Sequence, residues 1–438
     1  MRANHYNQHV AIKLEVYLRE MHRLGCKNCI ILSGEQRYPF RDDLAFPFVA
    51  NLYFKEWLDL ADRQGSIIHV SNSAKKPILY LLETSDYWHS EPSNVSDDIQ
   101  LNFEVCGYAS REVLLAKLAQ LPDCVCIGED PDLSIRNAMH INPDALLNRL
   151  NFCRADKTEY EHQCLRDATA KAVIGHRSAE KGFRDGKSEY EIHMDYLSAV
   201  KCLDSEQPYN NIIGINENAA TLHHWQLSKS RRAKNLSLLI DAGASGAGYA
   251  SDITRTYSSS STGSFADLIV GVDDLQQKLV AKIEVGLPYG HLHELCHEMV
   301  FDLLLDLGVA KHSVDKEQKL NVSKCFFPHG LGHLLGVQVH DQGGNLDEKT
   351  SLPLPANIDH PALRLSRTIT PNMVFTVEPG VYFIPSLLSK LKETSFENIN
   401  WSLVEELMPY GGVRIEDNII VHGDSIENVT RDHFAASS

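Results

Sequence analysis

The sequence predicts an α+β chain of two domains, a small α/β domain over residues 1–155 and a larger mixed domain over 156–438. Three observations predict it. The chain has 438 residues, too many for one ordinary hydrophobic core. Short β-rich runs alternate with helical stretches through the first third of the chain. Beyond Arg154–Thr158 a long charged amphipathic stretch leads into apolar runs that each end in a carboxylate or an imidazole.

In the first domain Ile30–Ser33, Ser66–Val70 and Pro77–Leu82 read as strands. Arg111–Leu121 reads as a helix stopped by Pro122, and Cys124–Gly128 as a further strand. The second domain opens with a helix from near Lys157 towards Gly182. Ser188, with Glu191 three residues on, forms a capping box that starts the next helix. Leu236–Tyr257 holds two apolar runs around a Gly-rich turn and reads as a hairpin. Asp241 falls near the end of its first strand and Asp252 near the start of its second, so the two carboxylates converge. Val374–Gly380 and Gly412–Val421 read as further strands, and Arg414 and Glu416, two apart, share a face. Leu387–Tyr410 reads as a helical insertion between them.

Bulk composition narrows the function. Hydrophobic residues make up 43% and charged residues 23%, as in an ordinary globular protein. With 58 acidic against 42 basic residues the net charge is −16, which disfavours nucleic acid and anionic membranes as partners. No signal peptide or membrane span is expected, and ten scattered cysteines suit a reducing cytoplasm.

Five residues carry the chemistry: Asp241, Asp252, His333, Glu378 and Glu416, in the settings LLIDAG, YASDITRT, HGLGH, FTVEPG and GVRIED. Four carboxylates and one imidazole can hold two divalent cations that activate a water between them. A mostly oxygen shell with one imidazole favours Mn(II) over a thiolate-preferring ion. A competing pattern, His293-Glu294-Leu295-Cys296-His297, satisfies the helical zinc motif HExxH. Glu317 could be proposed as its third ligand but lies in a polar segment with no apolar frame, so the five-residue set is preferred. Cys26-x-x-Cys29 has no second pair and reads as two ordinary thiols. The glycines at 243, 246 and 248 lack the Lys-Ser/Thr of a phosphate loop and read as turn residues. Val337, Val339 and the leucines of HLLGV read as core or pocket wall.

Together these segments resemble the pita-bread metallopeptidases: methionine aminopeptidase, aminopeptidase P and prolidase. The likeness covers about residues 157–434. The tracts YFIPSLLSKLKE and NINWSLVEELMPYGGVRIEDNIIVH are similar to the bacterial Xaa-Pro dipeptidase branch, which includes organophosphorus acid anhydrolases. ILSGEQRYPFRDDLAFPFVANLYFKEWL carries the likeness into the first domain. The resemblance implies that Asp241 chelates one ion, that His333 with Glu378 bind the other, and that Asp252 and Glu416 bridge both. A bridging hydroxide would attack the peptide carbonyl, with Glu378 carrying the proton. His223, His329 and His340 would line the pocket and orient substrate, Arg414 would steady the bridging shell, and Arg364 or Arg367 would bind the substrate carboxylate. Where relatives often read Leu-His-Tyr this chain has Leu222-His223-His224, so the pocket wall beside His223 is expected to differ. The family also implies a homodimer, with the first domain contributing substrate access and dimer contacts, and an acid of the Asp42–Asp43 loop reaching a neighbouring site.

The expected activity is Mn(II)-dependent hydrolysis of Xaa-Pro dipeptides. The alternatives are cleavage of longer Xaa-Pro peptides, as by aminopeptidase P, and hydrolysis of organophosphorus esters or fluorides. A binding module without catalysis is disfavoured because all five ligand types are present.

Overall fold

A computed structural model describes residues 2–60, 63–83, 94–129, 139–311, 315–355 and 357–437. The chain divides into two compact units, Met1–Cys164 with Leu346–Pro353, and Leu165–Asn345 with Leu354–Ser438.

The first unit is built on helix α1 (Arg2–Arg23) and a six-stranded sheet: β1 (Asn28–Leu32), β2 (Ile67–Ser71), β3 (Ile78–Leu82), β4 (Glu104–Tyr108), β5 (Cys124–Ile127) and β6 (His140–Ile141). Their spatial order is β4-β3-β2-β1-β5-β6. β2 runs antiparallel to β1 and β3, whereas the β3–β4, β1–β5 and β5–β6 pairs are parallel. Alternation along β1 feeds two cores: Cys29 and Ile31 join Tyr17, Phe54 and Trp57, while Ile30 and Leu32 join Leu114, Leu115 and Leu118.

A charged cluster lies inside this unit. Lys13 Nζ sits 3.3 Å from Glu56 and 3.4 Å from Glu161, and Arg154 approaches Glu56 at 4.0 Å. Tyr17 donates its hydroxyl to Glu56 at 2.5 Å. All of these side chains are buried.

The second unit begins with the long helix α2 (Glu159–Arg184), which starts in the first unit, and continues with α3 (Glu189–Val200). Ser188 and Glu191 cap α3 reciprocally, as the sequence predicts. β7 (Ile212–Ile215), β8 (Ser237–Asp241) and β11 (Thr254–Ser258) form an antiparallel sheet in the order β11-β8-β7. Between β8 and β11 a small hairpin of β9 (Ser245–Gly246) and β10 (Tyr249–Ala250) turns through Ala247 and Gly248. Their φ values of 47° and 82° are those of a tight two-residue turn. Gly243 serves packing instead, because a Cβ there would meet Ser251 O and the Tyr209 ring.

Helices α4 (Ser264–Val280), α5 (Tyr289–Asp306) and α6 (Lys316–Phe326) follow. A second sheet then assembles β12 (Val374–Val377), β15 (Asp417–Val421) and β16 (Ile426–Asn428), while β13 (Gly380–Tyr382) pairs with β14 (Gly412–Arg414). The predicted single strand over 412–421 is thus two strands. The chain changes partner at Ile415–Glu416, leaving β13 for β12, and the break aims Glu416 at Thr254. The expected insertion after Glu378 is two helices, Pro385–Ser395 and Trp401–Leu407, with 3-10 turns. Among the described residues no helix is long and apolar enough to cross a membrane.

Candidate metal centre

The β11-β8-β7 sheet meets the β13–β14 pair where β11 faces β14, and Glu416 lies against the start of β11. Thr256 Oγ donates to the Arg414 carbonyl at 3.0 Å and accepts from the Arg414 N–H at 3.0 Å. Thr254 and Glu416 form an isolated bridge. This seam brings together four of the five residues that the sequence singles out, and the HGLGH segment supplies the fifth. That segment has no regular structure, but it lies along β12. Thr376 N–H donates to His333 O at 3.0 Å, and His333 N–H to Thr376 Oγ at 3.1 Å.

Donor atoms of Asp252, His333 and Glu416 all lie within 4.8 Å of one another. His333 Nε2 is 3.3 Å from Asp252 Oδ2 and 3.6 Å from Glu378 Oε1. Its Nδ1–H donates to the Leu334 carbonyl at 3.0 Å, which fixes the ring so that Nε2 faces the carboxylates. Asp241 joins them through Tyr209, whose hydroxyl reaches Asp241 Oδ1 at 2.8 Å and also Asp252 Oδ1.

Arg414 holds the far side of the cluster. It donates to Asp241 Oδ2 at 2.6 Å, to Thr254 Oγ at 3.0 Å and to Tyr382 Oη at 2.7 Å. Thr254 passes its own proton to Glu416 Oε2 at 2.6 Å. Tyr382 passes its proton to His329 Nε2 at 2.8 Å, and His329 Nδ1–H donates to the Gly330 carbonyl at 2.8 Å. One guanidinium therefore orders two carboxylates and one imidazole. Asp417, next to Glu416, turns to the opposite face and is neutralised there by Arg255 at 2.7 Å and Arg431 at 2.8 Å.

Burial and mutual repulsion set the electrostatics of the cluster. Burial, with the other carboxylates close by, pushes Asp241 up to about 6 and Glu378 up to about 7, and raises Glu416 well above the carboxylate range. Asp252 alone is lowered: its hydrogen bond and charge contact with His333 overcome its burial. Four carboxylates against Arg414 and one imidazole leave an excess of negative charge in a dry site. Divalent cations would relieve it, and the donor set of four carboxylates and one imidazole fits them.

The remaining expected pocket residues scatter more widely. His340 packs edge-on against His333 with ring centroids 4.5 Å apart. Loss of water around its ring, with His333 and Arg364 nearby, lowers its pKa to about 4. Burial lowers His329 to about 3. His223 is exposed and stacks on Trp225 at 5.4 Å. His224 does not share that surface: it bonds Glu189 at 3.0 Å. Glu189 also takes N–H groups from Ile215, Asn218 and Ser228, and so pins the segment carrying His223. Arg364 is exposed and Arg367 buried. Asp42 and Asp43 lie in an exposed loop. Cys26 and Cys29 are free thiols, Cys29 buried on β1.

Sequence reasoning missed Tyr209, Thr254, Thr376 and Tyr382. Of these only Thr254 carries a local signal, two residues after Asp252 on the same strand edge.

Comparison with known proteins adds an independent line. Residues 163–423 match the model of metallopeptidase family M24, and residues 4–152 match that of the Xaa-Pro dipeptidase N-terminal domain. The Xaa-Pro dipeptidase of Shewanella pealeana is 39% identical over 432 residues, covering 97% of this chain and 97% of its own. That of Pseudoalteromonas atlantica is 40% identical over 434 residues and covers 98% of each. Among solved structures, zinc-substituted E. coli aminopeptidase P in complex with product gives a TM-score of 0.72 at 21% identity, covering 97% of this chain and 99% of that one. That likeness is one of fold, the pita-bread arrangement expected for the second domain.

Proposed function

The chain belongs to metallopeptidase family M24 and is a metallo-dipeptidase, and from that premise we propose that it cleaves Xaa-Pro dipeptides with two Mn(II) ions held by Asp241, Asp252, His333, Glu378 and Glu416. One observation carries the reading: donors of Asp252, His333 and Glu416 lie within 4.8 Å of one another, with Glu378 and Asp241 beside them. When bound, the ions supply an acidified water and polarise the scissile carbonyl. Four carboxylates to one imidazole support manganese over softer metals.

The chain's own residues supply the rest. Glu378, whose Oε1 lies 3.6 Å from His333 Nε2, would take a proton and return it to the leaving imino group. Arg414 keeps Asp241 and, through Thr254, Glu416 from turning away. His329 and His340 stay neutral at working pH; His329 closes the Tyr382–Arg414 chain, and His340 with His223 orients the substrate carbonyl. Arg364 is our assignment for the substrate carboxylate, because it is exposed and close enough to His340 to depress its pKa. Arg367 is buried, and its backbone is tied to Gly344 and Tyr289. Proline lacks an N–H and has a fixed φ, so a site that reads the dipeptide's free carboxylate suits it better than one gripping the backbone.

The test is hydrolysis of Ala-Pro against Ala-Pro-Ala by Mn(II)-loaded protein, with a chelator control. Chelator-sensitive cleavage of the dipeptide alone is the expected result. Preference for the tripeptide would replace it with aminopeptidase P-like action. No cleavage of either by metal-loaded protein would leave organophosphorus hydrolysis as the activity to measure.

A further inference from the structure

We propose that His293, His297 and His360 form a second metal site, suited to a nitrogen-preferring ion such as Zn(II), and that its occupation loosens the loop carrying His333. His293 and His297 lie four residues apart on α5 and so share one helix face. His360 comes in from a polar loop more than sixty residues on. The ring centroids stand 4.3 Å apart for His293–His360, 4.7 Å for His293–His297 and 4.9 Å for His297–His360. One ligand nitrogen of each ring lies within 4.8 Å of the other two. The three residues are 1%, 3% and 8% exposed, and Phe327 packs on the first two rings.

The hydrogen bonds decide where the ring protons sit. Ser323 donates its hydroxyl proton to Leu320 O at 3.0 Å and therefore accepts from His297 Nδ1 at 2.9 Å. His297 Nε2 is then a bare lone pair. The His360 ring makes no hydrogen bond among the described residues. Burial holds His293 and His297 neutral, at about 2 and about 3. Three neutral imidazoles and no carboxylate make a donor set unlike the oxygen-rich centre, and Zn(II) accepts three imidazoles with a fourth position open. Zn–N bonds of about 2.0–2.1 Å require the rings to turn inward. The unbonded His360 ring turns most easily. Lys324 opposes a cation here, but it is paired with Asp359 at 4.0 Å.

His293 couples the two sites. Its Nδ1 accepts the Leu331 N–H at 3.2 Å, which puts the ring proton on Nε2. To bind an ion through Nε2, His293 must carry its proton on Nδ1, where it opposes the Leu331 N–H donor to donor. That bond then breaks. Leu331 is two residues from His333, and its carbonyl accepts the Glu378 N–H at 2.8 Å. Binding at the three histidines is thereby antagonistic to the carboxylate centre.

Zinc should be counted by elemental analysis after dialysis of full-length protein at low micromolar free Zn(II). Wild type should retain one equivalent more than His360→Ala, and Zn(II) should raise its melting temperature by more. Added Zn(II) should inhibit Mn(II)-loaded wild type at least tenfold more effectively than His360→Ala, which keeps its basal activity. Equal zinc counts in the two proteins would overturn the site, whatever the substrate proves to be. An extra equivalent without differential inhibition would overturn the coupling through Leu331. His297→Ala checks the count independently, since its Ser323 contact is lost without touching Leu331.

Discussion

Each compact unit buries a cluster of charged side chains, and the two clusters differ in whether they supply their own counter-charge. In the first unit Lys13, Arg154 and Lys157 stand against Glu56 and Glu161, so the buried anions are matched by buried cations. Lys13, with His9 and Lys157, overcomes the burial of Glu161 and holds its carboxyl far below the usual range. In the second unit four carboxylates face Arg414 and His333, and burial drives Glu378 and Asp241 upward instead. Counter-charge among buried groups thus separates a cluster whose anions are matched by the chain's own cations from one whose excess of carboxylates suits bound cations.

Breaking each cluster should have opposite consequences. Glu416→Gln removes one of the repelling carboxylates and should lower kcat/KM on Ala-Pro by about 10³-fold or more, while the metal-stripped protein melts no lower than wild type. A lower melting temperature with activity retained would reverse the comparison. Glu161→Gln leaves the Lys13 ammonium buried without one of its partners, which should cost about 3–5 kcal/mol of stability by denaturant unfolding. Activity per folded molecule should be unchanged. Acidity sharpens the contrast further. A carboxyl whose pKa is raised on folding binds its proton more tightly in the folded state. Stability from Glu378 and Asp241 is therefore present below their ordinary values near 4 and is lost as pH rises through about 6–7. The difference in melting temperature between Mn(II)-loaded and metal-stripped protein should widen from pH 5 to pH 7.5. A constant difference would mean that the carboxylates are not in conflict.

Much of the second unit was legible because its candidate ligands adjoin apolar strand segments. Asp241 ends β8, Glu378 follows β12, and Glu416 sits in the break before β15, so each carries an apolar run in its sequence neighbourhood. The break itself is not read from the sequence: Gly412–Val421 reads as one strand although Glu416-Asp417-Asn418 interrupt its β-rich residues, and the exchange of partners from β13 to β12 falls there. Tyr209 and Tyr382 were equally hidden. Each acts through a hydroxyl on residues 32 or more positions away, and nothing in their local sequence distinguishes them from core tyrosines. His224 reads as a pocket substitution by position, yet its ring goes to Glu189, because the orientation of a loop side chain depends on tertiary partners. His360 stands in a polar Asp-His-Pro segment, and only the fold brings it to the HExxH face.

The contact between Arg414 and Asp241 joins residues 173 positions apart, and Thr254 meets Glu416 across 162. No early stretch of the chain contains the donors of the centre. During synthesis the emerging polypeptide therefore carries no assembled hydrolytic machinery until residue 416 has left the ribosome. Nascent neighbours meet an inert protein until then.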